Sequence, residues 1–442
     1  MRQTARAEEV FHREEFLSDH SRAARLRRSF LKKVLICGAG FLLLVLCPAF
    51  AADFTLPRME MSSRGWIKDG DFTVSSVLLA DLALTGGYKY AFLLGFSLEA
   101  PDIAKAFMYR NFSVELIDTG GTGVSDNEYN TLAERINNQA VLSFRAAKAT
   151  VRDIFSLPLE LSYFFGADDN FCNGDDFSSR FGISPVGTDF RGFFYFPQGI
   201  GGNPARRYNG IHSVHGTGFS FALTKWEHLI PIFYIYVNFP FSAGLTNSTA
   251  FFGESGDNLY STDLRLLFHY NWLRLEAFGG ITLSSTMATS IRGGLMAHIA
   301  GNGAEFLVQA GIPGCTVGEE FSIDNIYFLI EPRLRSGFFG MTLTFFYHPV
   351  EYLHVVTEDE KGKANINIKF LFGNLDSGFS GGIETGGELK VHGLEDFEFY
   401  IAPLATFYSS GLRWDAKIRI RPSYYSDPEK IFDFFIGVRT AF

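Results

Sequence analysis

The sequence predicts an all-β fold: a single antiparallel β-barrel that crosses a membrane, with about 14–16 strands and a small non-barrel insert near residues 101–137. Three observations predict it. Apolar and polar residues alternate with period two over many short runs. Glycine- and serine-rich turn signals separate those runs at short intervals. The apolar faces are crowded by aromatic side chains, with 48 Phe and 18 Tyr in 442 residues. Such a composition favours strands and tight turns over helices.

The N-terminus reads as an export signal. Residues 1–33 hold nine basic and five acidic side chains. Arg25, Arg27, Arg28, Lys32 and Lys33 stand just before an uncharged run from Val34 to Leu46, followed by Pro48 and Ala49-Phe50-Ala51-Ala52. Basic, apolar and small-residue segments in that order make a secretory signal, cut after Ala51. The apolar run is shorter than the roughly 20 residues that a spanning helix needs. Arg27-Arg28-Ser29-Phe30-Leu31-Lys32 also has a twin-arginine look, but that route carries folded cargo, so Sec-type export is the expectation. The domains are then 1–51, a signal peptide, and 52–442, the barrel. Cys172 and Cys315 are the cysteines left to the mature chain, and one pair cannot form a disulfide framework.

The alternation is plainest from Leu412 to Pro422. Leu412, Trp414, Ala416, Ile418 and Ile420 fall on one face, and Arg413, Asp415, Lys417, Arg419 and Arg421 on the other. Asn365, Asn367 and Lys369 alternate likewise with Ile366, Ile368 and Phe370, and Glu331, Arg333 and Arg335 with Ile330, Pro332 and Leu334. Gly86-Gly87, Gly301-Asn302-Gly303, Ser336-Gly337, Asp376-Ser377-Gly378 and Ser409-Ser410-Gly411 punctuate the runs. Turns so closely spaced suit hairpins rather than βαβ units. About eighteen strand candidates follow from Asp71 to the end. Residues 228–253 lack any charge, yet Pro231, Pro240 and the β-branched and aromatic run Ile232–Val237 make this a strand and turn rather than a helix. Residues 101–137 break the pattern and are expected to form a plug, a periplasmic segment or a loop.

The last residues place the barrel. Phe432, Phe434, Ile436, Val438, Thr440 and Phe442 share one face, and the chain ends on Phe442. Here the sequence resembles the porin-like outer-membrane β-barrel proteins of diderm bacteria, whose final strand ends in an aromatic residue preceded by alternating apolar ones. The resemblance is carried by Phe434, Ile436, Val438 and Phe442. It implies that the barrel assembly machinery reads this strand, that outer-membrane lipid surrounds the barrel, and that the protein resides in the outer membrane. A narrower likeness, to the long-chain fatty-acid transporter family, rests on Asn203-Pro204-Ala205. In that family the tripeptide lies near the mature N-terminus.

Candidate functional residues lie on the charged faces. Arg413, Asp415, Lys417, Arg419 and Arg421 form one ladder and Glu331, Arg333 and Arg335 a second. Arg265 and Arg274, with His269 and Glu276, form a third. Rings of one sign select ions, whereas mixed signs pair across the wall, and the arginine excess near the C-terminus points to an anion-tolerant lumen. Ala91–Phe96 and Phe193–Phe196 are apolar on both faces, which suits a greasy solute or the seat of a plug. Gly378-Phe379-Ser380-Gly381-Gly382 matches G-x-S-x-G, but a hydrolase elbow needs a strand–turn–helix setting, and here a strand opens after a turn. His212, Ser213 and His215 in a glycine-rich stretch read as a loop. Asp168, Asp169, Asn170, Asn173, Asp175 and Asp176 are dense enough to hold calcium, but off the EF-hand spacing. They read as a solvated outward loop, as does Glu358-Asp359-Glu360-Lys361.

The formal charge of −9 argues against nucleic acid as a partner. No cofactor, metal or catalysis is expected. The leading functional reading is a passive channel for small solutes. The alternatives are a hydrophobic-solute transporter of the fatty-acid type and a surface adhesin or structural protein that uses the barrel as an anchor.

Overall fold

The computed structural model describes residues 53–68, 71–100, 102–103, 140–184, 186–188, 210–238, 259–284, 289–318, 320–322, 325–348, 363–375, 377–390 and 398–440. Residues 1–51, expected to be a signal segment, all but two residues of 101–137, Phe193–Phe196, Asn203-Pro204-Ala205, Glu358-Asp359-Glu360-Lys361 and Phe442 lie outside them.

The chain is built from eighteen strands. The first six are β1 (Asp53–Lys68), β2 (Asp71–Gly86), β3 (Tyr90–Ala100), β4 (Val141–Val151), β5 (Leu159–Phe171) and β6 (His212–Leu223). Then come β7 (Leu229–Asn238), β8 (Leu259–Tyr270), β9 (Leu273–Ser284), β10 (Thr289–Ala300), β11 (Ala304–Thr316) and β12 (Tyr327–Ser336). The last six are β13 (Phe339–His348), β14 (Lys363–Gly373), β15 (Phe379–Lys390), β16 (Glu398–Ser409), β17 (Leu412–Ile420) and β18 (Phe432–Thr440). Each pairs antiparallel with its neighbours in sequence, and β1 pairs with β18, from Glu60↔Arg439 to Trp66↔Asp433. The sheet therefore closes and has no free edge. Two short helices are described, α1 (Asp176–Phe181) and α2 (Pro428–Ile431).

The strand count exceeds the expected 14–16. Connections at one rim are very short, the longest being 152–158 and the shortest 271–272, 337–338 and 410–411. Chain assigned to loops is spent on strands instead. The missed element is β1. Its outward positions Met59, Met61, Ser63, Gly65 and Ile67 lack the aromatic signature, so Arg58–Trp66 does not stand out as a strand. All five turn signals quoted above fall at this same rim, together with the start of β1 and the end of β18. It is called the turn rim here. The longer connections, 101–140, 172–211, 239–258 and 349–362 among them, all leave from the opposite, loop rim.

The two faces of the wall differ as the alternation requires. In β17, Trp414 and Ile418 are 42% and 48% exposed, while Lys417 and Arg419 between and beyond them are 2% and 8% exposed. The same outward exposure recurs at Ile235, Leu264, Leu295, Phe345, Ile366, Ile383 and Ile436 around the circumference. Leu229–Asn238 is a strand, as its prolines and β-branched residues require. Gly378 sits in the turn before β15, Ser380 is buried within that strand, and no helix follows, so the G-x-S-x-G residues do not form a nucleophile elbow.

Candidate functional site

The interior has two unlike halves. One is the wall made by β14–β18 and β1, where charged side chains face inward. Arg413 Nε donates to Asp415 Oδ1 at 2.9 Å, and the Thr406 hydroxyl donates to the same oxygen at 2.7 Å. Arg439 lies 3.8 Å from the other carboxylate oxygen. Lys417 pairs with Glu384, which also accepts from the Tyr400 hydroxyl at 2.9 Å.

Nearer the loop rim, three guanidinium groups converge on one carboxylate. Arg64 donates to Asp433 Oδ1 at 2.9 Å, Arg419 to Oδ2 at 2.5 Å, and Arg421 to the same Oδ2. The positive charge of three guanidinium groups is thus gathered around one shared carboxylate. Aromatic rings take up part of it: the Arg64 guanidinium sits 5.0 Å from the Trp66 ring centre, and that of Arg419 sits 5.6 Å from Phe435. Arg421, in the connection after β17, feels burial first and the neighbouring Arg419 second, and its pKa falls below the usual arginine value. The water reaches this wall, with side-chain exposures of 31% for Arg413, 21% for Arg64 and 16% for Arg421.

The other half is filled by the chain itself. β5 pairs with β4 only as far as Ala146↔Gly166, and β6 pairs with β7 only as far as Gly216↔Asn238. Beyond those points β5 and β6 pair with each other alone, through a bulge between Ala167 and Asn170, to Phe171↔His212. Released from the wall, this end of the hairpin leans into the lumen. Cys172 N–H donates to Glu276 Oε1 at 2.6 Å, and Gln309 Nε2 donates to the Cys172 carbonyl at 2.6 Å. Arg265, wholly buried, donates to Glu276 at 2.7 Å, pairs with Asp176, and lies 5.0 Å from the Phe171 ring centre.

Further along, Thr188 donates to Glu331 Oε2 at 2.5 Å, and Arg333 reaches both Glu331 Oε1, at 2.8 Å, and the Gly187 carbonyl. The helix α1 returns toward the turn rim, where Arg180 pairs with Glu160 at 2.9 Å and Phe181 stacks on His269 at 5.4 Å. Burial opposes the Arg180 charge, but Glu160, Asp176 and Asp169 outweigh it and hold its pKa above the ordinary value. Phe171, Phe177, Val186, Ile211 and Val214 of the inserted segment pack with Leu267, Phe278, Met296, Tyr327 and Phe346 of the wall.

The predicted ladders thus separate. Arg413, Asp415, Lys417, Arg419 and Arg421 share the β14–β18 wall, with Arg413 and Arg421 partly exposed and Asp415, Lys417 and Arg419 buried in their pairs. Arg265, Glu276, Glu331 and Arg333 lie beneath the inserted segment as its fastenings. Arg335 is exposed and Arg274 half-buried, both toward the turn rim. Two sequence expectations are corrected. The acidic run is no solvated outward loop: Lys148 pairs with Asp168 at 2.8 Å and Asp169 at 3.1 Å, the Tyr234 hydroxyl donates to Asp169 at 2.5 Å, and Ser213 donates to Asn170 at 2.7 Å. The run is the inward part of β5 and the chain after it, and acids there are needed to balance buried bases. His212, Ser213 and His215 lie on β6 rather than in a loop, because the glycines around them let the strand bend instead of ending it. Cys172 and Cys315 are free thiols, Cys172 buried.

Sequence reasoning missed Arg64, Glu384 and Asp433 as partners. Parity was the available signal, since each occupies an inward position in its strand.

No protein-family model and no curated protein matches the sequence. Solved structures are similar in fold at low identity. A mutant of Rh. blastica porin is 8% identical, with 88% of this chain and 100% of that one covered and a TM-score of 0.42. Salmonella typhi OmpF in complex with daunomycin is 9% identical, covering 88% and 97% at 0.39. Pseudomonas aeruginosa OpdK with vanillate is 9% identical, covering 88% and 98% at 0.42.

Proposed function

We propose that this chain is an outer-membrane channel that passes small polar solutes with a preference for anions. The observation that carries the reading is the contrast between the two interior halves. Three arginines share Asp433 on a wall that water reaches, whereas Arg265 and Glu331 are sealed under the inserted segment. The path for solute runs between that segment and the basic wall. A positive surface in a confined, low-dielectric passage raises the local anion concentration.

The membrane assignment has its own physical support. An apolar outer face carried around the whole circumference far exceeds the few hundred Å² that a soluble monomer exposes. Closure pairs the backbone groups that hydrocarbon would otherwise leave unsatisfied. Barrels of about 16–18 strands are wide enough for an aqueous lumen. Among the described residues, the buried apolar cluster of the interior packs against the hairpin, which supports the polar-solute reading over fatty-acid transport.

The test is the reversal potential of the folded protein in a planar bilayer under a KCl gradient. Anion-selective current supports the reading; cation-selective current, or none from a folded barrel, opposes it.

A further inference from the structure

The hairpin that leans inward leaves a crevice behind it. Between its tip and the loop-rim ends of β7–β11 lies a cavity of about 320 Å³. That is at the low end for small-molecule sites. Small polar residues dominate its lining: Ser284, Ser290, Thr316 and Asn238 hold inward register positions, the Thr282 hydroxyl is engaged by Ser261 and Arg292, and Thr289 borders the crevice from an outward position. One cation lines it, Arg292, and its charge is already matched. Arg292 Nε donates to Asp263 Oδ1 at 2.7 Å and Nη2 to Oδ2 at 2.9 Å, a two-point pairing. Its remaining contacts are with the Thr282 and Tyr236 hydroxyls. The His212 ring closes the lumen side, held edge-on to Phe171 at 5.4 Å and stacked on Phe278 at 6.0 Å. On this hairpin end, out of the wall, burial and then the nearby Arg292 charge hold the His212 pKa well below the ordinary imidazole value, so the ring is uncharged.

We propose that this crevice binds an uncharged polyhydroxylated solute, a sugar or polyol. The chemistry differs from that of the basic wall across the lumen. Here donors and acceptors alternate on neutral groups, each able to both give and accept a hydrogen bond, and no unbalanced charge attracts an ion. Leu259 and Pro313 supply apolar edges for the carbon face of such a ring. The crevice exists only because β5 and β6 leave the wall, so a hairpin kept in plane would open it into the lumen.

Equilibrium dialysis of radiolabelled glucose and of sucrose against the full chain folded in detergent tests this, and it reads binding whether or not the barrel conducts. The expected result is saturable one-to-one binding of at least one of them. The double variant Ser290→Ala/Thr316→Val, at two inward positions that face each other in the β10/β11 register, weakens it tenfold or more, since each lost hydroxyl leaves a solute group without its partner. Ser284→Ala, on a different strand, weakens it in the same direction. Benzoate and phosphate do not displace the sugar. Retained heat-modifiable gel migration shows that each variant still folds. Absence of saturable binding for both sugars, unchanged affinity in both folded variants, or displacement by the anions would overturn the proposal.

Discussion

Gly166 and Gly216 stand directly opposite each other in the β5/β6 register, and both have positive φ, 90° and 141°. They mark the points at which β5 parts from β4 and β6 from β7. A Cβ on Gly166 would collide with the Arg145 carbonyl oxygen, and one on Gly216 with that of Val237. The pair is therefore the hinge that turns the hairpin out of the wall, available only to residues without a side chain. Everything that occludes half the lumen hangs from it.

Gly166→Ala/Gly216→Ala should force the hairpin back toward the wall. Single-channel conductance is expected to rise, with a loss of stability of about 1 kcal/mol or more per site. Gly411→Ala is the control: φ there is also positive, at 74°, but nothing lies within 4 Å of its Cβ. It should cost stability without changing conductance. Bilayer recordings on the three proteins check this.

Arg265→Met strands the buried carboxylate of Glu276 and the half-buried one of Asp176, and a broken buried pair costs about 3–5 kcal/mol. The temperature at which the folded gel band is lost should fall sharply. Arg265→Met/Glu276→Leu removes a charge from each side and should recover part of the loss. A double variant no better than the single one would mean that Arg265 does not act through Glu276.

Cys172 reports on the inserted segment. It is fully buried, while Cys315 is partly exposed. A membrane-impermeant maleimide should leave Cys172 unmodified in the folded barrel and label it once the barrel is unfolded, since reactivity needs an accessible thiolate. In Gly166→Ala/Gly216→Ala, Cys172 should begin to label. Mass spectrometry of the tryptic peptides distinguishes the two sites.

Much of the architecture was legible in the sequence because a barrel wall writes itself locally. The β17 alternation of Trp414 and Ile418 with Lys417 and Arg419 needs only the pleat to be read. The turn glycines at 301–303, 337 and 411 need only the hairpin rule. What stayed illegible depends on distant pairing. The acids Asp168 to Asp176 look like any solvated loop until Lys148 and Arg265, far away in sequence, are seen to face them. Glu331 and Arg333 look like lumen residues until Gly187 and Thr188 come down over them. Closure itself rests on β1, whose outward methionines, serine and glycine conceal it. The hinge glycines were hidden among the 45 glycines of the chain, and only their shared register singles them out.

In the proposed channel, the arginine cluster is what would set the direction of selectivity. Changing Arg413, Arg419 and Arg421 together to Glu should turn the reversal potential toward cations. Asp433→Asn should instead deepen the anion preference while destabilising the barrel, because it leaves Arg64, Arg419 and Arg421 facing one another without their common partner. Unchanged selectivity in the triple variant, with heat-modifiable migration intact, would mean that solute does not pass along this wall.

The most direct measurement is single-channel recording of the detergent-folded, heat-modifiable protein in a planar bilayer under a KCl gradient. The account predicts stepwise openings with a reversal potential on the anion side, as expected of a half-occluded barrel with a basic wall. A folded species that never conducts, or a protein that stays soluble and folded without detergent, would contradict it.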